Sequence, residues 1–230
     1  MNTRVRLYVG GIRPLPPENR PTGIFKHAVP SPVWLGQEGL AGDAQADRRV
    51  HGGPEKALHQ YPVGHYARLA RAFPEAAALL VPGSIGENLS VPGWDETNIC
   101  IGDVFRLGDA RIQVSQPRSP CWKIDGRYGV EGMAKLIADE GITGWYFRVV
   151  EAGSVAADGP FEYIPRPVTD SVPFELVERL PGAVPVARLL DLMREHHPDI
   201  DALAAVAAVP GLAAGWVAKL KERVERLRNL

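Results

Sequence analysis

The residues best suited to chemistry in this 230-residue sequence surround one cysteine, Cys121, within the segment QVSQPRSPCWK at 113–123. The segment begins as a strand pattern, and two prolines then interrupt it because proline cannot donate the hydrogen bonds of a sheet. Arg118 and Lys123 flank the thiol in the loop that follows. A thiol gains nucleophilicity and metal affinity by becoming a thiolate, which nearby cations favour. The spacing therefore predicts a reactive or metal-binding thiol at Cys121.

A second polar segment, GDAQADRRVHGGPEK at 42–56, concentrates charged residues around two adjacent glycines, Gly52 and Gly53. Glycine permits sharp turns and a close approach of the backbone to a ligand. If this segment meets the cysteine loop, the two form a cationic pocket in a nearly neutral protein. Such a pocket favours an anionic ligand, for example a phosphate.

A solvated surface loop is the alternative interpretation of these charges. Arg48 and Arg49 fit that alternative, whereas His51 and Lys56, on either side of the glycine pair, favour a binding role. The other cysteine, Cys100, lies between two isoleucines and is expected to be an ordinary buried residue. Cys121 is therefore the candidate for a working thiol.

Composition and simple motifs exclude several classes of protein. The net charge is −1 and the pI about 6.6, so no global field recruits nucleic acid or an anionic membrane. The N-terminus lacks a signal-peptide pattern, and no apolar run approaches the roughly 18 residues of a membrane span. GxGxxG, P-loop, HExxH, CxxC and GxSxG patterns are absent from the sequence. We therefore expect a cytoplasmic protein with no nucleic-acid or membrane partner.

Hydrophobic periodicity predicts a strand-rich domain with a few covering helices, followed by a helical tail. Strands are predicted at 4–9, 23–26 and 145–150, with a hairpin formed by 104–107 and 111–116 across Gly108-Asp109. Helices are predicted between Pro62 and Pro74, at 131–140, and in the tail at 186–196, 200–209 and 213–230. Three short helices in so few residues seldom form an independent core, so we expect them to pack on the main domain.

Three segments, taken in order, carry a family resemblance: LAGDAQADRRVHGGPEKALHQYP, SIGENLS and IGDVFRLGDARIQVSQPRSPCWK. They resemble the signature segments of the MOSC family, the domain named after the C-terminal part of molybdenum-cofactor sulfurases. With its helical tail the chain is similar to the bacterial YiiM type. The resemblance implies an α+β fold, with a MOSC β-barrel and its molybdenum-cofactor pocket at 1–168 and a small all-α three-helix domain at 169–230.

The resemblance also implies a mononuclear molybdenum site in which the dithiolene of the pterin cofactor and Cys121 bind the metal. A soft thiolate suits a metal already held by sulfur. Members of this type reduce N-hydroxylated compounds, such as 6-N-hydroxylaminopurine, by the reaction R-NHOH + 2 e⁻ + 2 H⁺ → R-NH₂ + H₂O. Two cysteines cannot supply an iron–sulfur cluster in addition to a molybdenum ligand, so a separate flavin or iron–sulfur electron donor is expected.

Residue roles follow from matching the family pattern. The cofactor-binding set is predicted to be Gln45, His51, Gly52, Gly53, Lys56, Asn88, Gln116, Arg118 and Cys121. Lys56, Arg118 and the glycine backbone are expected to hold the pterin and its phosphate, and the amides to match the pterin edges. From their residue types and positions in the sequence, and not from the family pattern, Asp47 or His51 is expected to deliver the protons that N–O cleavage consumes.

Two other functions remain compatible with the residues. The first is a non-catalytic carrier, in which Cys121 holds a persulfide or passes on sulfur or the cofactor. The second is a module on the same barrel that binds a different metal or small molecule. Neither requires reduction of a substrate.

Overall fold

The computed structural model describes residues 3–30, 32–165 and 182–229. Its strands are β1 (Thr3–Arg4), β2 (Arg6–Val9), β3 (Arg13–Leu15), β4 (Arg20–Thr22), β5 (His27–Ala28), β6 (Val33–Gly36), β7 (Gly39–Leu40), β8 (Leu58–Gln60), β9 (Leu89–Ser90), β10 (Val104–Leu107), β11 (Ala110–Pro117), β12 (Trp145–Glu151), β13 (Gly153–Val155) and β14 (Pro160–Ile164). Its helices are α1 (Arg48–His51), α2 (Val63–Ala72), α3 (Lys123–Tyr128), α4 (Met133–Glu140), α5 (Val186–Arg194), α6 (Ile200–Ala207) and α7 (Ala214–Arg228), with 3-10 turns at Pro54–Lys56 and Pro74–Leu79.

The main sheet curls on itself because one N-terminal segment contributes to both of its sides. Its nine strands follow the order β1-β14-β10-β11-β12-β8-β9-β2-β5. Arg4 of β1 pairs with Pro160 of β14, and two residues later Arg6 of β2 pairs with Ser90 of β9. Chain continuity between β1 and β2 therefore joins distant strands of the sheet. The sheet therefore curls into a half-barrel, which agrees with the predicted α+β fold built on a barrel-like core.

Strand β11 is the element that carries the cysteine loop. Val104 of β10 pairs with Gln113 and Leu107 pairs with Ala110, which confirms the predicted hairpin. Ile112 and Val114 are fully buried in the barrel core, as the alternation of a half-buried strand requires. The strand ends at Pro117, and the loop with Cys121 begins there.

The strand predicted at 23–26 is wrong. Strand β4 ends at Thr22 and β5 begins at His27, so the intervening residues belong to no strand. Tertiary contacts with the segment that follows β7 replace the sheet hydrogen bonds. A Cβ on Gly23 would lie 2.1 Å from the carbonyl oxygen of Ala44, and the ammonium of Lys26 lies 2.5 Å from Asp43 Oδ1.

The three predicted C-terminal helices are confirmed as α5, α6 and α7, and they share the core of the barrel. Leu189 and Leu220 are fully buried in the same hydrophobic cluster as Phe105 of the sheet. Backbone hydrogen bonds also join the two parts, from Ile101 N to Val184 O and from Ala213 N to Ser115 O, each 2.9 Å long. The helices therefore complete the barrel core rather than enclose one of their own.

Two further observations complete the description of the fold. The domain boundary predicted between residues 168 and 169 lies outside the described residues. Within the described part of the chain, none of the helices combines the length and the apolar character needed to cross a membrane.

Candidate functional site

One pocket brings the two polar segments together. It holds about 600 Å³ of empty space, which includes solvent at its open mouth. Six residues predicted from the sequence line it, namely Gln45, His51, Lys56, Asn88, Arg118 and Cys121. The segments therefore meet around the thiol.

Cys121 is held in the pocket by a loop with backbone anchors at both ends. Arg118 N donates to Gly144 O at 3.0 Å, next to the start of β12, and Ile124 N donates to Cys121 O at 3.0 Å, in the first turn of α3. The thiol is partly exposed, whereas Cys100 is 2% exposed. The prediction that Cys100 is an ordinary buried residue is confirmed, and Cys121 is the accessible thiol.

Arg118 is a buried cation with unused hydrogen-bonding capacity. Its side chain is 8% exposed, and Nη2 donates to Ile85 O at 3.3 Å. Nη1 is buried and finds no hydrogen-bond partner among the described residues. Because buried donors are almost always satisfied, this guanidinium nitrogen at the pocket wall is available to a ligand, and an anion fits best.

Cations outnumber anions around the pocket. Lys26, Lys56, Arg118 and Lys123 line it, against the carboxylate of Asp43. Burial lowers the pKa of Lys56, and the neighbouring Lys219 of α7 lowers it further. The concentration of like charge favours an anionic ligand.

The two histidines of the pocket are held neutral. Burial lowers the pKa of His51, and the charges of Arg118, Lys123 and Lys56 lower it further. Burial lowers the pKa of His59 well below its ordinary value, with Arg118 again contributing. Both imidazoles are therefore uncharged near pH 7, and the positive field of the pocket comes from the lysines and Arg118.

A buried carboxylate, Asp43, organises one wall. Its Oδ1 accepts from Gly10 N at 2.9 Å and from Lys26 Nζ at 2.5 Å. Its Oδ2 accepts from Asn88 Nδ2 at 2.9 Å and from Gln45 Nε2 at 3.3 Å. Sequence reasoning named neither Lys26 nor Asp43 as a site residue, although Asp43 lies in the polar segment.

Asn88 has little hydrogen-bonding capacity left for a ligand. The amide nitrogen Nδ2 donates to Asp43 Oδ2 at 2.9 Å and to Tyr8 O at 3.2 Å, while Oδ1 accepts from His59 N at 3.1 Å. An amide group has two donors and two acceptor lone pairs, so mainly one lone pair of Oδ1 remains. That the Asn88 amide forms hydrogen bonds to the edge of the pterin stays a prediction.

Four other predicted residues lie beside the pocket lining. Asp47 caps α1 by accepting from Arg49 N at 3.1 Å, and its ion pair with Arg49 lowers its pKa. Gln116 is buried on β11, paired in register with Tyr146 of β12. A Cβ on Gly52 would lie 3.3 Å from Gln45 Oε1, and Gly53 has a φ of +90°, which side chains rarely adopt.

His59 and Tyr146 are pocket residues that sequence reasoning missed. They pair in register across β8 and β12, with ring centroids 5.3 Å apart. Burial raises the pKa of Tyr146, so its phenol is protonated near pH 7. The available signal was a polar side chain within an apolar strand, LHQY in one case and WYF in the other.

The segment GEN at 86–88 supports the pocket lining through Glu87. Glu87 is fully buried and accepts from Tyr66 Oη at 2.5 Å, Gly83 N at 2.6 Å and Ile85 N at 3.2 Å. Burial raises the pKa of Glu87, and these hydrogen bonds act in the opposite direction. The carboxylate thereby fixes the turn whose Ile85 carbonyl receives Arg118.

The donor set fits a metal that brings its own ligands. Within the described residues, no group of three or more His, Cys, Asp and Glu side chains is placed to hold a metal ion. Cys121 offers one soft ligand, and Arg118 Nη1 offers an unused donor to an anionic carrier. A metal bound through sulfur to an anionic organic cofactor matches this combination.

Comparison with family models defines the class of protein. The model for the MOSC domain matches residues 47–162, which include most of the pocket, and the model for the YiiM-like, 3-alpha helix domain matches residues 184–227. The chain therefore belongs to the MOSC domain family, as the sequence segments predicted, and it carries the helical domain found in YiiM-like members.

Individual relatives agree with this assignment. Protein YiiM of Escherichia coli strain K12 is 45% identical over 166 residues, which span 72% of this chain and 74% of that protein. The crystal structure of YiiM from Escherichia coli superposes with a TM-score of 0.77 at 33% identity, covering 98% of this chain and 94% of that one. A protein named "Reductase" from Gibberella moniliformis is 34% identical over 147 residues, or 64% of this chain, but these are only 26% of its own length.

Proposed function

We propose that this protein binds a molybdenum cofactor at Cys121 and reduces N-hydroxylated compounds to amines. The observation that carries the proposal is the meeting of an accessible thiol with the orphaned Arg118 Nη1 in a cationic pocket. A MOSC domain is by definition similar to the C-terminal part of molybdenum-cofactor sulfurases, and one relative is named a reductase. The family and the donor set thus support the same cofactor.

Cys121, Lys56 and Arg118 would hold the cofactor. The thiolate would bind the metal, while the lysine and the guanidinium would bind the anionic end of the pterin. The backbone at Gly52 and Gly53, kept free of side chains, would allow a close approach. When bound, the cofactor would supply the two-electron redox chemistry that side chains cannot perform.

His51 is our candidate for proton delivery. Reduction of R-NHOH consumes two electrons and two protons and releases water, and oxygen leaves far more readily once protonated. Burial, and then the charges of three cations, lower the pKa of His51, and an anionic ligand would offset those charges and raise the proton affinity of the imidazole. Asp47 is committed to its cap and to Arg49, so we assign proton delivery to His51 alone.

The electrons must come from a separate flavin or iron–sulfur protein. The sequence has no dinucleotide-binding fingerprint, and its two cysteines cannot ligate an ordinary cluster in addition to the metal. We expect reduction with a chemical donor such as reduced methyl viologen. With NADH we expect turnover only after a reductase is added, and robust NADH-driven turnover by the purified chain would contradict this.

The test uses protein made in a host that synthesises the cofactor. Molybdenum and pterin are measured per chain, and reduction of 6-N-hydroxylaminopurine is followed with reduced methyl viologen. Cys121→Ser is expected to lose both metal and turnover, since a hydroxyl is a harder and less acidic ligand, with Cys100→Ser as the matched control. Full cofactor occupancy without turnover would favour the carrier function, and absence of the cofactor would refute the proposal.

A further inference from the structure

A second concavity adjoins the pocket, and we call it the rim concavity. Its lining includes four cations, one carboxylate and an indole, namely Arg20, Arg48, Arg49, Lys123, Asp47 and Trp122. Ala46 and Lys123 line both spaces, so the two adjoin. A ligand with its reactive end near the thiol can therefore extend into a second, strongly cationic space.

The cations of the rim concavity are available to a ligand. Helix α1, which carries Arg48 and Arg49, buries none of its residues, so the barrel core does not require this turn. Arg48 pairs with Glu38 and Arg49 with Asp47, but these ion pairs lie at the surface. Exposed ion pairs contribute little to stability, so an incoming anion can displace them at small cost.

Trp122 adds a flat apolar surface to this charged space. It follows Cys121 directly in the chain and is 49% exposed, although the barrel core buries large aromatic residues such as Trp145 completely. An indole face stacks on a base or packs against a sugar, and guanidinium groups bind phosphate through two parallel hydrogen bonds. An aromatic surface among arginines is a combination suited to a nucleotide.

We propose that the rim concavity binds the phosphate of an N-hydroxylated nucleotide, so that the substrates of this protein are nucleotides in preference to free bases. The inference rests on the proposed reductase function and narrows its substrate class. The exocyclic nitrogen and the 5′-phosphate lie at opposite ends of a nucleotide, as the thiol and Arg20 lie in adjoining spaces. The phosphate takes no part in the reaction, so R-NHOH + 2 e⁻ + 2 H⁺ → R-NH₂ + H₂O still balances.

The kinetic test compares three substrates of the holoprotein under reduced methyl viologen: 6-N-hydroxylaminopurine, its ribonucleoside and its 5′-monophosphate. We expect kcat/KM for the monophosphate to exceed that for the base by about tenfold or more, since a charge-assisted contact to phosphate contributes about that factor. Arg20→Ala and Arg49→Ala should reduce this preference. Arg71→Ala, on the exposed face of α2, is the matched control. Equal kcat/KM for all three substrates would overturn the proposal.

A binding measurement keeps the inference separate from the proposed activity. AMP, which cannot be reduced, should bind the holoprotein more tightly than adenosine does, and Arg20→Ala should remove the difference. Trp122→Ala should weaken AMP binding, and Trp122→Phe should restore part of it because a flat ring remains. If AMP binds in this way but no N-hydroxylated compound is reduced, the proposed reaction fails while the nucleotide site stands.

The phosphate could instead belong to the cofactor, and molybdenum content distinguishes the two sources. Under the proposal, Arg20→Ala and Arg49→Ala retain as much molybdenum and pterin as Arg71→Ala does. A loss of cofactor in the rim variants would assign these arginines to the cofactor's own phosphate and overturn the substrate proposal. Absence of any difference between AMP and adenosine would overturn it as well.

Discussion

Replacing Arg118 by methionine should separate ligand binding from stability. The guanidinium is 8% exposed, yet Nη1 has no hydrogen-bond partner among the described residues. A buried unsatisfied donor costs about 1–3 kcal/mol of folding free energy. The substitution Arg118→Met removes that cost and keeps an unbranched apolar stem of similar length.

Two losses oppose this gain. The hydrogen bond from Nη2 to Ile85 O, worth about 1 kcal/mol, disappears. Glu87 also loses a nearby cation that lowers its pKa. We therefore expect the free energy of unfolding of the cofactor-free variant to lie within about 1 kcal/mol of wild type, whereas breaking a buried ion pair that stabilises the fold costs about 3–5 kcal/mol.

The assay combines urea unfolding of cofactor-free protein with molybdenum content after expression in a cofactor-competent host. Arg118→Met should keep its stability and lose most of its cofactor, and Arg118→Lys should not restore full occupancy because an ammonium cannot bind phosphate in the same bidentate way. Arg71→Met is the control: this residue lies on the exposed face of α2, so the variant should keep both its stability and its cofactor. A loss of 3 kcal/mol or more in cofactor-free Arg118→Met would refute the reasoning.

Three further predictions concern stability. Cys100→Ser should lower the free energy of unfolding by about 1–3 kcal/mol, because it places a more polar hydroxyl at a buried position, while activity per folded molecule is retained. Equal loss of activity in Cys100→Ser and Cys121→Ser would contradict the assignment. Burial holds the pKa of His59 well below its ordinary value in the folded state, so the unfolded chain takes up a proton first as pH falls below 6.5. Stability should therefore drop by about 1 kcal/mol from this residue between pH 7.5 and 5.5, and His59→Gln should abolish that part of the drop in urea unfolding. Gly86→Ala should lower the stability of the protein more than Gly93→Ala. Both positions have positive φ, but only at Gly86 does the new Cβ approach Ile24, at 3.0 Å. Equal losses in thermal unfolding would assign the cost to backbone strain alone.

The sequence predicted those parts of the fold that local patterns determine. The hairpin of β10 and β11 follows from alternating apolar residues around Gly108-Asp109, and the three C-terminal helices follow from apolar periodicity. The prediction of a strand at 23–26 was wrong because tertiary contacts override the local strand pattern there. Gly23 packs on the carbonyl of Ala44, and Lys26 turns toward Asp43. These contacts join residues about 20 positions apart, which a window of local sequence does not contain.

The site residues also divide into those that local sequence identifies and those that it does not. Charged and glycine-rich segments identified Cys121, Arg118, Lys56 and His51, since their residue types alone suggest a ligand. His59 and Tyr146 were missed because each lies within a short strand bordered by apolar residues, and such a pattern indicates a core strand. Only the pairing of β8 with β12 places both rings at the pocket.

Residue type alone does not tell a buried polar residue that supports the fold from one that binds a ligand. The hydrogen bonds that the residue already makes within the protein do. Asp43 and Glu87 are buried carboxylates in polar segments, which by type suggests catalysis, but the oxygens of both already accept bonds from the protein. Arg118 has the same burial and an unused donor. A satisfied buried group stabilises the fold without a ligand, whereas an unsatisfied one carries a free-energy cost that a ligand can remove. Under the proposed function, the cofactor should therefore contact Arg118 and Cys121, while Asp43 holds other lining residues in place and Glu87 fixes the turn that receives Arg118.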